Sequence, residues 1–510
     1  MKKNQSSMLL DLNQGLKQQF QPMMYALWKL LTSNEVQWLE SFEESEKKYQ
    51  DYLTSEELDT LLYNLKSLPL TKREVRQIDV LDKEKLEFQA SAELREEINK
   101  LWNEIHYHIS TYKFKYKNNH LSQSELLSEI KSNKYLNERE HLWKSYMRMG
   151  QEIGPGLIKL VELRNKIAQQ NGFNNFYELK LFAQETELVD LTTLCEEIRN
   201  GLASQYNKLK DELDDELCQN FNLKSENIMP WHYSHPTRLI SNPEIHFDQQ
   251  KYSDANFISN LINWFNKQGL DIEQIIERGD ILNNNIKTKA DFCLSLDRKD
   301  DIRISTHLTK NPESIFSLLH EIGHAVYEKN IDADLPFLLK QPANISLSEA
   351  IALLFEKLPL NLIDKSLPIN TTSNSLKHRH LLFKTFSTLS IVEFERNLYK
   401  NPKQNLNNLW WDLIGDIQGI NRPCEWDQPY WANISHFTTL PVYYHHYLFG
   451  EVLASQFEFN LNAEFKQWHS NEALQFLVSK ICKPGMSSNW TNLLNGKFEL
   501  SAKPFINQFK

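Results

Sequence analysis

Apolar and polar residues alternate along most of the chain with the three- and four-residue spacing of an α-helix. The spacing is clearest in Met24–Tyr52 and Glu84–Tyr112, within a stretch of about residues 20 to 135. It predicts several amphipathic helices there. Leu68-Pro69-Leu70 marks a break between them. The pattern as a whole predicts a mainly α-helical fold.

The same spacing predicts a long helix over Glu138–Gln170 and further helices over 176–218 and Ala255–Gly269. Gly154-Pro155-Gly156 lies inside the long helix and predicts a kink or a restart there, because proline lacks a backbone N–H. Gly172 is placed to supply the left-handed residue that ends this helix.

Two short runs have the character of β-strands, Phe292–Leu296 and Ile302–Thr306. The polar turn Asp297–Asp301 lies between them, so a small hairpin is predicted. From Asn311 onward the pattern is helical again. Leu367–His378 is the one sizeable polar gap in it and predicts a surface loop.

The composition excludes several classes of function. The 510 residues carry a net charge of -10, and an acidic chain repels the phosphates of nucleic acids. Its five cysteines are widely spaced, which favours a reducing compartment. The early apolar run Met8–Asn13 is too short for a secretory signal, and no run approaches the roughly 20 apolar residues of a membrane span. We therefore expect a cytoplasmic protein that neither binds nucleic acid nor inserts into a membrane.

The strongest chemical signal is His320-Glu321-Ile322-Gly323-His324 within a predicted helix. Asn311 is placed to cap this helix, and Pro312 suits its first turn. Residues four apart share one face of a helix, so both imidazoles reach a single zinc ion. Glu321 follows the first histidine and is placed to act as general base for a water on zinc. The alternative is two unrelated histidines on a helix.

A catalytic zinc site needs a third protein ligand, and Glu349 is the candidate. It lies 25 residues after His324, at the start of another predicted helix. The alternative is that Ser346 and Glu349 form a capping box, in which the carboxylate only bonds the start of the helix. Next to the histidine motif we favour the ligand.

These residues resemble the angiotensin-converting-enzyme family of peptidyl-dipeptidases and the related thimet oligopeptidases, which are zinc metallopeptidases of the gluzincin type. The resemblance covers about residues 135 to 460 and, more faintly, the N-terminal helices. Besides the motif and Glu349-Ala350-Ile351, the similar stretches are Leu163–Ala168 with Gly172-Phe173, Asp334-Leu335-Pro336, Ala343-Asn344, Trp410–Leu413, Gln418-Gly419 and Ser435–Leu448.

The resemblance implies a mainly α, two-lobed helical ellipsoid with a deep central channel and a small β element near the zinc helix. The chain would form a single peptidase unit over 1–510. Its expected parts are lid-like N-terminal helices over 1–135, channel-wall helices over 136–300, a zinc-binding catalytic core over 301–460 and C-terminal helices over 461–510.

The resemblance also implies roles for residues in Ser435–Leu448. His436 matches a histidine that bonds the substrate backbone and the developing oxyanion. Tyr447 matches a tyrosine that steadies the tetrahedral intermediate, and Tyr444 matches a tyrosine beside the bound peptide. Donors aimed at new negative charge lower the barrier. The alternative is that these aromatic side chains only pack a core, and for His445 and His446 we expect packing or solvation.

Four positions depart from the family pattern. Ile434 replaces the lysine that anchors a substrate's C-terminal carboxylate. Ile414 and His446 replace two chloride-binding arginines. Leu353 replaces an aspartate that supports the metal site, and the loss of such a residue weakens metal binding. The resemblance therefore supports zinc and peptide hydrolysis in this chain better than it supports dipeptide release or chloride dependence.

The residues together predict zinc-dependent hydrolysis of peptide bonds in short peptides, of the oligopeptidase or peptidyl-dipeptidase type. One of the strands Phe292–Leu296 and Ile302–Thr306 is expected to pair with the extended substrate. Two alternatives stay open. One is a zinc carboxypeptidase, and the other is a catalytically weak, peptidase-like binding or regulatory protein.

Overall fold

The computed structural model describes residues 5–33, 35, 37–237, 239, 254–282, 291–309, 312–363 and 374–510. The helices in chain order are α1 (Gln5–Thr32), α2 (Gln37–Leu53), α3 (Glu56–Lys66), α4 (Lys72–Lys85), α5 (Ala92–Thr111), α6 (Gln123–Ser132), α7 (Leu136–Gln170), α8 (Phe176–Ala183), α9 (Leu188–Phe221), α10 (Asp254–Lys267), α11 (Glu273–Arg278), α12 (Pro312–Lys329), α13 (Ile345–Glu356), α14 (Leu360–Ile363), α15 (Asn374–Lys400), α16 (Leu406–Gln418), α17 (His436–Thr439), α18 (Tyr444–Phe465), α19 (Asn471–Leu477), α20 (Trp490–Leu494) and α21 (Lys503–Asn507). The strands are β1 (Phe114–Tyr116), β2 (Asn119–Leu121), β3 (Asp280–Leu282), β4 (Phe292–Ser295) and β5 (Ile302–Leu308). The prediction of a mainly α-helical fold is confirmed.

Several predicted helices are shorter than the apolar pattern suggested. Met24–Tyr52 contains the end of α1 and most of α2, and Glu84–Tyr112 contains the end of α4 and all of α5. Polar side chains begin the new helices. The Ser91 hydroxyl, for example, accepts the N–H of Leu94 at the start of α5. A helical spacing therefore continued in the sequence across a break that a capping serine introduces.

The glycines around Pro155 do not interrupt α7, and the predicted restart is wrong. Helix α7 runs through the proline without a break. A Cβ atom on Gly154 would lie 2.8 Å from Pro429 Cβ, and one on Gly150 would lie 2.7 Å from the Pro429 carbonyl oxygen. These glycines therefore allow the 429–433 segment to approach the helix closely. Gly172 has φ +82°, so its prediction as the left-handed residue after α7 is confirmed.

The predicted hairpin is present. Strand β4 pairs antiparallel with β5, and β3 pairs parallel with the other edge of β5. One Asp297 carboxylate oxygen accepts the backbone N–H groups of residues 299, 300 and 301, at 2.9 to 3.0 Å. The turn is therefore stabilised by a single polar side chain.

Contacts divide the chain into two compact units, each built from three segments. The first comprises Met1–Phe88, Ile245–Thr371 and Phe449–Phe505, and the second comprises Gln89–Glu244, Thr372–Leu448 and Ile506–Lys510. The first contains the three-stranded sheet with α12 and α13, and the second contains α7, α15 and α17. The four-part organisation expected from the sequence stays a prediction.

The apolar stripe of α12 lies in the core of the first unit. Ile315, Leu319, Ile322 and Val326 of this helix are buried, and Phe316 is partly exposed. The turn of the β4–β5 hairpin also packs in this unit, since the Arg298 guanidinium carbon lies 4.4 Å from the centre of the Phe20 ring.

Two predictions from the sequence concern residues that lie wholly or partly outside the described ones. The expected cap Asn311 is outside them. Of the loop predicted over Leu367–His378, residues 374–378 instead begin α15, and the rest is not described. Among the helices that are described, none combines the length and the apolar character that crossing a membrane requires.

Candidate metal centre

Helix α12 presents both histidines of the motif on one side. The rings of His320 and His324 have centroids 4.9 Å apart and are nearly perpendicular. Both side chains are partly exposed, whereas Glu321 between them is 6% exposed. The four-residue spacing therefore brings the two imidazoles together as predicted.

Helix α13 supplies Glu349, which is buried. The helix is capped by Asn344, whose side-chain oxygen accepts the N–H of Ser346 at 2.7 Å. Glu349 therefore lies in the second turn, and the capping-box alternative for it is wrong. Its carboxylate is available to the site instead.

Ligating atoms of His320, His324 and Glu349 all lie within 4.8 Å of one another. The two helices approach closely because Gly323 faces Ala352, where a Cβ atom on the glycine would lie 2.5 Å from the Ala352 Cα. Any larger residue at 323 would push α13, and with it the carboxylate, away from the histidines. The glycine within the motif thus has a defined packing role.

The three donors fit a zinc ion. His320 Nε2 and Glu349 Oε2 are 3.7 Å apart, which is too far for a hydrogen bond. Two ligands of one tetrahedral zinc, each at 2.0–2.2 Å from the ion, lie roughly 3.4 Å apart. Two imidazoles and one carboxylate are also a donor set typical of catalytic zinc sites, which keep a fourth position open.

The other nitrogen of each ring has a polar partner. His320 Nδ1 lies 3.2 Å from Glu356 Oε2, and His324 Nδ1 lies 2.7 Å from the Ser348 hydroxyl. A partner that accepts from Nδ1–H leaves Nε2 to bind a metal. Both rings are therefore oriented with Nε2 toward the shared site.

Neither of these partners was found from the sequence. The departure at Leu353 predicted that carboxylate support of the metal site is lost, whereas Glu356 supplies a carboxylate from one helical turn further along α13. The signal was present, because Glu349 and Glu356 are seven residues apart and share a face of the helix. Ser348 could not be predicted in this way, because adjacent residues of a helix do not share a face and Ser348 comes directly before Glu349.

Burial and neighbouring charges shift the pKa of Glu321 and of His320. Burial raises the pKa of Glu321 to about 8; His320 opposes the shift, and Asp291, Glu349 and Glu356 add to it. Burial disfavours the charged ring of His320, but the three glutamates, Glu356 foremost, raise its pKa to about 9. A bound divalent cation reverses both tendencies, because its charge favours carboxylate and neutral imidazole.

The second unit brings together the three residues expected to contact the substrate. His436 Nε2 and the Tyr447 hydroxyl oxygen are 3.3 Å apart, and the rings of His436 and Tyr444 have centroids 4.7 Å apart. All three side chains are partly exposed. His445 and His446 are buried, so of packing and solvation, the two alternatives expected for them, their burial agrees with packing.

Comparison with known families adds an independent line of support. Residues 2–245 match the family model described as Angiotensin-converting enzyme, and residues 275–362 match the one described as Carboxypeptidase Taq (M32) metallopeptidase. The second range includes all three candidate ligands. A comparison with curated proteins finds no match. Both matched families are metallopeptidases, and the donor set fits the zinc that such enzymes use.

The chain is a zinc metallopeptidase. The predicted resemblance to the angiotensin-converting-enzyme group of zinc peptidases is thereby confirmed, and so is zinc as the cofactor. In this metallopeptidase the Angiotensin-converting enzyme match ends before α12 begins, while the carboxypeptidase match contains both α12 and α13. Both matches support peptide hydrolysis, but they do not fix the type of cleavage.

Proposed function

We propose that this metallopeptidase cleaves short peptides in the manner of an oligopeptidase or peptidyl-dipeptidase, with zinc held by His320, His324 and Glu349. The observation that carries the proposal is the convergence of these three donors beside a buried Glu321. The N-terminal resemblance to Angiotensin-converting enzyme over residues 2–245 supports the choice of short peptides.

Glu321 is the proposed general base. When bound, zinc polarises a peptide carbonyl and lowers the pKa of water. Glu321 takes the proton of the attacking water and passes it to the leaving amine. Because Glu321 is buried, its proton transfers are shielded from solvent, and a cation held by the three ligands would favour its ionised form.

His436 and Tyr447 are the proposed donors to the oxyanion, with Tyr444 beside the bound peptide. Their mutual proximity and the resemblance of Ser435–Leu448 support these roles. An imidazole and a phenol held in advance toward developing negative charge lower the barrier without reorganisation.

Strand β4 is the proposed pairing partner for an extended substrate. Strand β5 was an equal candidate in the sequence, but it has β3 on one side and β4 on the other. Its edges are therefore occupied. Strand β4 pairs only with β5 among the described residues, and it contacts the zinc helix through Cys293, which lies near Glu321. An edge strand offers main-chain hydrogen bonds to a peptide.

A zinc carboxypeptidase is the second candidate, because the match described as Carboxypeptidase Taq covers the residues of the metal centre. The two candidates differ in their products. Mass analysis of one defined peptide separates the release of single C-terminal residues from the release of dipeptides and from internal cleavage.

The mechanism is tested by hydrolysis of a mixed peptide pool by the wild type and by Glu321→Gln. We expect the variant to bind zinc normally but to lose most of its activity, on the order of 100-fold or more. Glu328→Gln is the matched control, because Glu328 is a partly buried carboxyl on the same helix whose pKa is also raised by burial, to about 7. Equal rates for wild type and Glu321→Gln would remove the proposed mechanism.

A further inference from the structure

The segment that joins His436 to Tyr447 is held by two buried ionisable side chains of the second unit. Arg164 lies on α7 and is 6% exposed, and Glu395 lies on α15 and is 2% exposed. Neither is used in the mechanism above. Arg164 belongs to the stretch Leu163–Ala168, which the sequence marked as similar to the peptidase families without indicating a role.

Arg164 grips the first half of the segment. Its two terminal nitrogens donate to the carbonyl oxygens of Phe437, at 2.8 Å, and Thr438, at 2.7 Å. These residues form α17, which has only four residues, so its carbonyls lack the partners that a longer helix would supply. The planar guanidinium therefore fixes the short helix that begins with His436, together with the Trp102 indole N–H, which also donates to the Thr438 carbonyl oxygen, at 3.1 Å.

Glu395 holds the second half of the segment. Its carboxylate accepts the backbone N–H of Val442 at 2.7 Å, while the Gln184 amide donates to the carbonyl oxygen of the same residue at 3.2 Å. Val442 has φ +59° and is fully buried. A β-branched residue in the left-handed region is strained, and it persists only where its surroundings impose that conformation.

The contacts of Arg164 and of Glu395 with the segment are linked through Tyr399. The Tyr399 hydroxyl accepts from Arg164 at 3.2 Å, and Tyr399 lies one turn after Glu395 on α15. The Asn165 amide donates to the Tyr399 carbonyl oxygen at 2.8 Å. Helices α7 and α15 are thus joined to each other at the place where each holds the 437–442 segment.

We propose that Arg164 and Glu395 are positioning residues of the metallopeptidase: by fixing Phe437–Val442 they set the distance between His436 and Tyr447. This inference rests on the proposed roles of His436 and Tyr447. A strained turn lies between the two, so loss of either grip lets the turn relax and moves the imidazole away from the phenol. Strain held at such a place is typical of pre-organised catalytic groups.

The test compares Glu395→Ala and Arg164→Lys with the wild type in steady-state hydrolysis of a quenched peptide. The lysine keeps the charge of Arg164, but it lacks the planar guanidinium whose two terminal nitrogens donate to two carbonyl oxygens at once. We expect kcat to fall between about 10- and 100-fold with KM little changed, because small displacements of reacting groups cost that much. Zinc content should stay that of the wild type.

Two further variants separate positioning from general support of the fold. In Glu395→Gln the amide oxygen still accepts from Val442, so kcat should return near the wild-type value. Glu393→Gln is the matched control, since Glu393 lies on the same helix and pairs instead with Arg396; it should be silent. If Glu395→Ala does not fold, Gln184→Ala weakens the same turn with a smaller change.

A double-mutant cycle with Tyr447→Phe decides the matter. If Glu395 acts through Tyr447, its replacement costs little more once the hydroxyl is gone, so the two effects are not additive. Full additivity, or a silent Glu395→Ala beside an impaired Tyr447→Phe, would overturn the positioning role and leave the proposed function standing. A silent Tyr447→Phe would overturn the role of Tyr447 itself, and the positioning role with it.

Discussion

Glu356 is predicted to strengthen zinc binding through His320 without touching the metal. The perturbation is Glu356→Leu, which removes the carboxylate that lies 3.2 Å from Nδ1 of the ring. Without it the ring loses its orienting partner, and its Nε2 becomes a weaker donor. Glu356→Gln is an intermediate change, because it keeps a hydrogen-bonding group but removes the charge.

The expected loss of zinc affinity depends on how exposed the Glu356 side chain is to solvent. Loss of an outer partner of a metal-bound histidine costs about 10- to 100-fold in metal affinity. The Glu356 side chain is 43% exposed, and solvent screens a partly exposed charge. We therefore expect the lower end, a loss of about tenfold or about 1.4 kcal/mol, for Glu356→Leu and a smaller loss for Glu356→Gln.

The assay is competition for zinc against a chromogenic chelator. Glu458→Gln is the matched control, because Glu458 has a similar exposure and pairs with Lys357, the residue next to Glu356. Its zinc affinity should equal that of the wild type. An unchanged affinity in Glu356→Leu would refute the reasoning, and so would an equal loss in the control.

Three other predictions follow from the same structure. Ser348→Ala removes the partner of His324 Nδ1 and should weaken zinc affinity about tenfold, measured in the same competition. Gly323→Ala brings a methyl group against Ala352 and should lower the free energy of unfolding by about 1–3 kcal/mol in urea titrations, and zinc affinity with it; unchanged values would contradict the close approach of α12 and α13. Burial raises the pKa of Glu395 from 4.5 to about 8. Between these two pH values the folded protein keeps a proton on Glu395 that the unfolded protein has lost. Wild-type stability therefore falls as pH rises from about 4.5 to about 8. Glu395→Gln cannot ionise and should gain stability relative to wild type between pH 5 and 8, whereas parallel pH profiles would contradict the shift. The charged and titratable groups that face this carboxyl are Arg164, Lys180 and Tyr177.

The candidate metal ligands could be predicted largely from local rules. The spacing of His320 and His324 follows from the helical period, and Glu349 follows from the need for a third donor near a helix start. The hairpin before the zinc helix was also predicted correctly, since Asp297 and its neighbours form a turn from nearby residues alone. The histidine pair and the turn depend on residues close together in sequence, whereas Glu349, 25 residues after His324, was predicted from the number of protein ligands that a catalytic zinc needs.

The missed features depend on contacts between distant segments. The partnership of Glu356 with His320 requires the crossing of α12 and α13, which Gly323 sets through packing. Gly150 and Gly154 allow Pro429 to lie close to α7. The hydrogen bond of Glu395 with Val442 joins residues 47 positions apart. The helical period places Glu356 on the same face as Glu349, but no periodicity or capping rule shows which distant residue each of these groups meets, because each contact exists only once the helices have packed.

The binding of zinc by His320, His324 and Glu349 is the proposal on which the others depend. Anomalous diffraction at the zinc absorption edge, from crystals of protein purified without chelators, tests it directly. We expect one strong peak about 2.0–2.2 Å from Nε2 of each histidine and from a Glu349 carboxylate oxygen. No peak at this site, or a zinc bound by other residues with these three side chains apart, would contradict it.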